Sequence, residues 1–199
     1  MRRTLLPKTG AWMTIACGLG LAGLLVACEE SPPPTPAGGY TVAFTQTTGG
    51  VCAIGSHQSK MGEVLADGEP TLITSGTQDT TTTCTITPVS GGFSVQASLE
   101  GDATLTINIG SISASQASDA PATGSVSYTS SQTAGDVFQS PQATPCEFWL
   151  DTDAGQYVKE GEAWITFRCP QLVNESDQCG LSESFFALRN CTGATTEES

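Results

Sequence analysis

The chain has 199 residues, and its 38% apolar share together with 22 glycines comes close to half of it, the proportion of a folded protein and not of a disordered polyelectrolyte. Twenty acidic residues against seven basic ones exclude a nucleic-acid binder, which needs a basic face. Once an N-terminal leader is set aside, the length left is that of one domain.

The leader comes first. Arg2, Arg3 and Lys8 give a positively charged start, and an apolar stretch over residues 11–26 follows, interrupted by Gly18, Gly20 and Gly23. This is the layout of an export signal, short and glycine-rich for a permanent span. It closes on Leu25-Val26-Ala27-Cys28, which resembles the lipobox of bacterial lipoproteins. The resemblance covers only the leader. It implies cleavage before Cys28, a diacylglycerol on the Cys28 sulfur and an acyl chain such as palmitate on the new amine. Two or three chains hold a protein stably on a leaflet where one does not. The expected location is therefore exported and membrane-anchored in the cell envelope. Glu29, in place of an inner-membrane retention aspartate, directs it to the outer membrane of a Gram-negative host.

Residues 28–39 form the next unit. After Cys28 they read EESPPPTPAGG, whose four prolines favour an extended spacer of roughly 30 Å.

A single β-domain is expected over residues 40–191. Tyr40, Val42 and Phe44 alternate with Thr41, Ala43 and Thr45, and Cys84 and Ile86 alternate with threonines. The clearest signal is a hairpin. Phe93, Val95, Ala97 and Leu99 share one parity, Glu100-Gly101-Asp102 turns the chain, and Leu105, Ile107 and Ile109 resume the same face. Gly110 shifts the phase before Ile112, as a bulge does. Residues 111–135 are mostly small and polar and read as loop, with a short strand over 125–128. Strands resume over 146–150 and 163–169, and a last one runs near 184–191. Trp149 and Trp164 fall on the parity opposite to their strands' other apolar residues, either capping the domain from outside or lining a binding surface. Residues 192–199, small and acidic, read as a fraying tail. Helical periodicity is nearly absent, and Thr plus Ser make up about a quarter of the chain beyond the leader, which suits strands with one solvent face. The expected fold is all-β, an antiparallel β-sandwich or flattened barrel stapled by disulfides.

Six cysteines remain beyond Cys17 of the leader and the lipidated Cys28: Cys52, Cys84, Cys146, Cys169, Cys179 and Cys191. An even count in an exported chain reads as disulfides, with fifteen pairings open. Neighbourhood along the chain favours Cys52–Cys84, Cys146–Cys169 and Cys179–Cys191. Zinc is disfavoured because no Cys-x-x-Cys occurs and His57 is the one histidine.

Catalytic patterns are weak. His57 lies in Gly55-Ser56-His57-Gln58-Ser59, with no nucleophile elbow, and reads as a solvated loop histidine. Cysteine nucleophiles are consumed by bridges, and no spacing singles out a glycosidase pair among the carboxylates. The most suggestive cluster is Asp151, Asp153 and Glu162, which share the first, third and twelfth positions of a calcium loop, although Gln156 stands where that loop needs glycine. An irregular calcium site at a strand turn is the speculative reading, and a hydrophilic turn the plain one. No other cofactor is expected.

Cleavage before Cys28 removes three basic residues and no acidic one from the formal charge of −13, leaving Lys60, Lys159, Arg168 and Arg189 against twenty carboxylates, or −16. Such a domain repels nucleic acid and suits a basic partner. The expectation is a tethered, non-enzymatic binding or structural domain. The alternatives are an acidic inhibitor or immunity module against a basic envelope enzyme, with residues 151–162 and Trp149 as its loop, and, more remotely, a hydrolase using carboxylates.

Overall fold

The computed structural model describes residues 32–47 and 51–193. The leader, the lipobox with Cys28, and residues 194–199 of the tail lie outside the described residues. Twelve strands form one antiparallel sheet: β1 (Ala37–Gln46), β2 (His57–Met61), β3 (Ile73–Thr74), β4 (Thr81–Val89), β5 (Gly92–Glu100), β6 (Ala103–Ile112), β7 (Ala122–Ser130), β8 (Phe138–Gln139), β9 (Cys146–Trp149), β10 (Tyr157–Lys159), β11 (Glu162–Val173) and β12 (Gln178–Arg189). A 3-10 turn, Ser131–Thr133, follows β7.

The sheet folds over on itself. Strands β4 to β7 make a meander that forms one layer, and β2, β1, β12 and β11 form the other. Between them, β8 and β9 stand in line, each pairing β11 on one edge and β7 on the other, so hydrogen bonding runs unbroken from layer to layer. This is the all-β, antiparallel fold that the alternating patterns predict, with β2 and β4 at the two ends of the strand order.

Alternation explains the core. Val95, Ala97 and Leu99 of β5 and Leu105, Ile107 and Ile109 of β6 are all buried, and the hairpin register pairs Leu99 with Leu105 and Val95 with Ile109. Phe93 then pairs with Ile112, which places the extra residue of a bulge at 110–111. From the other layer, Tyr40 donates its hydroxyl to the Ala103 carbonyl at 3.2 Å, and Phe44 packs on Tyr128 and Phe138 at centroid distances of 5.2 and 5.5 Å. A Cβ on Gly38 would collide with Leu99 Cδ2, so the layers meet at β1 with no room for a side chain.

The two outer faces differ. Over β1, β11 and β12 a second cluster forms, with Val64, Trp164 and Ala187 buried and Leu72, Tyr157 and Phe185 packed around them. Trp164 donates from Nε1 to the Leu65 carbonyl at 3.2 Å, so it caps the domain from outside, beneath loop 62–72. On the meander the outward side chains stand in rows across the strands. One row is Thr83, Ser98, Thr106, Ser127 and Gln139, and the next is Thr85, Gln96, Asn108 and Ser125.

Strand edges attract foreign strands, and β4 is guarded. Thr192 lies against Thr85 in a parallel bridge; its amide donates to the Cys84 carbonyl at 3.1 Å and its carbonyl accepts from the Ile86 amide at 3.0 Å. The Ser75 hydroxyl takes the Thr82 amide at 2.9 Å, and Pro88, further along that edge, has no N–H to offer. The tail therefore does not fray from Thr192: that residue is part of the sheet.

The disulfides are Cys52–Cys179, Cys84–Cys191 and Cys146–Cys169. Only the last agrees with pairing by neighbourhood. The other two span 127 and 107 residues, because β12 returns to lie beside β1 and carries Cys179 and Cys191 to partners remote in sequence.

Several boundaries also move. β1 begins at Ala37, which pairs with Arg189, so residues 37–39 belong to the domain and not to the spacer. β11 continues past Cys169 through Pro170 to Val173, with register shifts on both sides of Cys169, and β12 begins at Gln178. A proline at a bulge is tolerated where the ladder is already interrupted. The short strands β2, β3, β8 and β10 carry too few residues for a period to register.

Candidate functional site

Two depressions lie where loop 51–56, residues 131–137 and the turn 174–177 converge. One, of about 550 Å³, is lined by Asp136, Val137, Gln139 and residues 173–176. A second, of about 510 Å³, shares Asp136 and is lined by residues 53–57, 132–134 and Asp177. Each wall has a local cause. Ser130 caps the 3-10 turn through a reciprocal pair of bonds with Thr133. Asn174 accepts the amides of Ser176 and Asp177 at 2.9 and 2.6 Å and so closes the β11–β12 turn. Loop 51–56 is held by Cys52–Cys179 and by the Ala53 amide, which donates to Asp177 Oδ1 at 2.7 Å.

The cleft is acidic, with Asp136, Glu175 and Asp177 on its walls and no Lys or Arg among its lining residues. Two of these carboxylates are engaged: Asp136 accepts from Asn174 Nδ2 at 3.3 Å, and Asp177 accepts from Ala53 and, at 3.2 Å, from the Ser176 hydroxyl. Such a cleft accepts cationic groups. Its one signal along the chain is Asn174-Glu175-Ser176-Asp177, a turn-forming run between two apolar segments.

His57 is the first residue of β2 and not a solvated loop residue. Its ring stacks on Phe44, with centroids 5.0 Å apart and planes within 9°. Its Nδ1 lies 2.9 Å from the Gly55 carbonyl, and Nε2 is buried without a partner among the described residues.

The speculative calcium residues are not brought together as a ligand set. Asp151 closes a turn by accepting the Ala154 amide at 3.2 Å, and Asp153 is exposed. Glu162 sits at the start of β11, where it pairs with Lys159 at 3.2 Å and accepts the Tyr157 hydroxyl at 3.0 Å. Burial alone would raise the Glu162 carboxyl, but the Lys159 and Tyr157 hydrogen bonds outweigh it and hold the group below the ordinary range. Tyr157 is pushed up by burial and by Glu162. Among the described residues no three His, Cys, Asp or Glu side chains converge as metal ligands. Trp149, the other residue of that loop reading, lies under the Arg168 guanidinium at 5.7 Å, while Arg168 pairs with Glu147 at 2.6 Å.

No protein-family model matches this chain, and neither the curated proteins nor the solved structures provide a match.

Proposed function

We propose that this chain is an exported envelope lipoprotein, tethered through acyl chains on Cys28, whose β-domain acts by binding and not by catalysis. The observation that carries the reading is the trio of disulfides, two of which close loops of more than a hundred residues. Bridges of that span form and persist in an oxidising compartment, and the leader with its lipobox supplies the route there. The proline-rich segment before β1 holds the domain away from the leaflet, and the formal charge of −16 keeps it from anionic lipid heads.

Labelling growing cells with radioactive palmitate tests this. Label on the wild-type chain and none on Cys28→Ala supports it; an unlabelled chain with its leader attached overturns it. A second reading, the acidic inhibitor or immunity module, draws support from the cleft around Asp136, Glu175 and Asp177, which replaces the 151–162 loop as its contact surface. A basic envelope enzyme captured at low salt and released as salt rises would favour that reading.

A further inference from the structure

Charge is distributed unevenly between the layers. Charged residues are 14% of the chain, so strands β4 to β8 would carry about five at that rate, yet Glu100, at the end of β5, is the only one. All four basic residues beyond the leader lie on the other strands, Lys60 on β2, Lys159 on β10, Arg168 on β11 and Arg189 on β12. Solubility does not require this, since an ordinary solvent face mixes charges of both signs.

This charge-poor face is also shaped. Two shallow depressions of about 300 and 210 Å³ adjoin at Thr106 and Asn108 and together cross from β4 to β8. Five strands at sheet spacing make this groove about 19 Å long. Its outward side chains are hydroxyls and amides, which both donate and accept.

Asn108 is the telling residue. Asparagine is disfavoured in strands, and Asn108 stands mid-strand in β6 between buried Ile107 and Ile109. The other two asparagines have structural duties: Asn174 closes a turn, and Asn190, at φ 57°, donates to the Thr35 carbonyl at 3.0 Å. The Asn108 amide has no partner among the described residues and projects into the groove.

We propose that this groove binds a neutral polysaccharide strand laid across β4 to β8. A neutral glycan suits a face whose one carboxylate, Glu100, stands at its end and is held by the Ser98 hydroxyl at 3.1 Å, and it offers hydroxyls for the free amides and threonines. An anionic glycan would meet a strongly acidic protein, and an apolar segment would strand the amides. The inference deepens the proposed binding role and rests on it for access to envelope glycans.

The test is native electrophoresis of the full-length chain, solubilised in a polyoxyethylene detergent that carries no sugar, through gels containing dextran, mixed-linkage β-glucan or galactomannan, with alginate as the polyanion. At least one neutral polysaccharide retards the wild type, raised salt leaves the retardation unchanged, and Asn108→Ala with Gln96→Ala weakens it about tenfold. Thr106→Lys does the same, whereas Gln58→Ala on β2 leaves it intact. Intact disulfides by mass and an unchanged unfolding curve show that each variant folds. The proposal is overturned if no neutral polysaccharide retards the chain, if alginate alone does, or if the groove variants bind like wild type. It is equally overturned if the face mediates self-association or inhibits ice growth with no glycan retention. Palmitate labelling reads the anchor independently, so either reading can fail alone.

Discussion

The outer faces of the two layers are built from the same alternating strands and end in opposite states. The face of β1, β11 and β12 is covered by loop 62–72, which buries Trp164 against Val64 and Ala187, and its strands carry ion pairs such as Arg168–Glu147. The face of β4 to β7 is bare, carries Glu100 as its one charged residue at the end of β5, and is rowed with hydroxyls. A covered face contributes to stability through buried apolar area, whereas a bare polar one contributes little. What a bare face is made of is therefore open to selection for what it touches.

The edge of the bare layer offers the largest effect. Replacing Cys84 and Cys191 together by alanine frees Thr192 from β4; urea unfolding should report a loss of about 4–5 kcal/mol, with self-association through the exposed edge visible by light scattering. A variant that unfolds at wild-type urea would mean that the edge needs no cap. On the covered layer, Trp164→Ala empties the second cluster and should lower stability by about 3–4 kcal/mol. A loss under about 1 kcal/mol there would erase the distinction between the faces.

The contact between the layers is legible in alkali. Burial pushes the Tyr40 phenol up to about 12 from 10.0, with a neighbouring Ser59 hydrogen bond opposing and Tyr128 and Asp102 reinforcing. The neutral phenol is the form the folded state holds. Stability is therefore intact below pH 10 and falls between pH 10 and about 12 as the unfolded chain ionises first, by roughly 2–3 kcal/mol from this group. Tyr40→Phe should flatten that decline, followed by phenolate absorbance alongside unfolding. A smaller, opposite effect is expected at Thr82, whose buried hydroxyl oxygen has no partner among the described residues. Thr82→Val should raise stability by about 1 kcal/mol. Smallest of all are changes on the bare face: Thr83→Ala and Gln96→Ala should stay within about 0.5 kcal/mol of wild type, and Asn108→Thr should gain a few tenths. Losses above 1 kcal/mol at these positions would show the face to be structural.

Much of the layer pattern was readable along the chain. Val95 to Ile109 declares itself because apolar and polar residues alternate on both sides of a glycine turn, and Gly110 marks the bulge that the register shows. The cleft was not readable, because Asp136 and Asp177 become neighbours only when β8 joins β7 to β11. Neither was the second cluster, since residues 62–72 have no periodicity and cover Trp164 from about a hundred positions away. His57 reads as a loop residue because β2 is five residues long.

The sequence by itself determined the strand class, the parity of the central hairpin, the number of cysteines available for bridges and the acidic balance, all of which are local or additive properties. The tertiary structure alone decided which cysteines meet, which outer face is covered and which is left bare, and where the acidic turns converge. Those depend on strand order, and strand order is set by long-range packing that leaves no period in the chain.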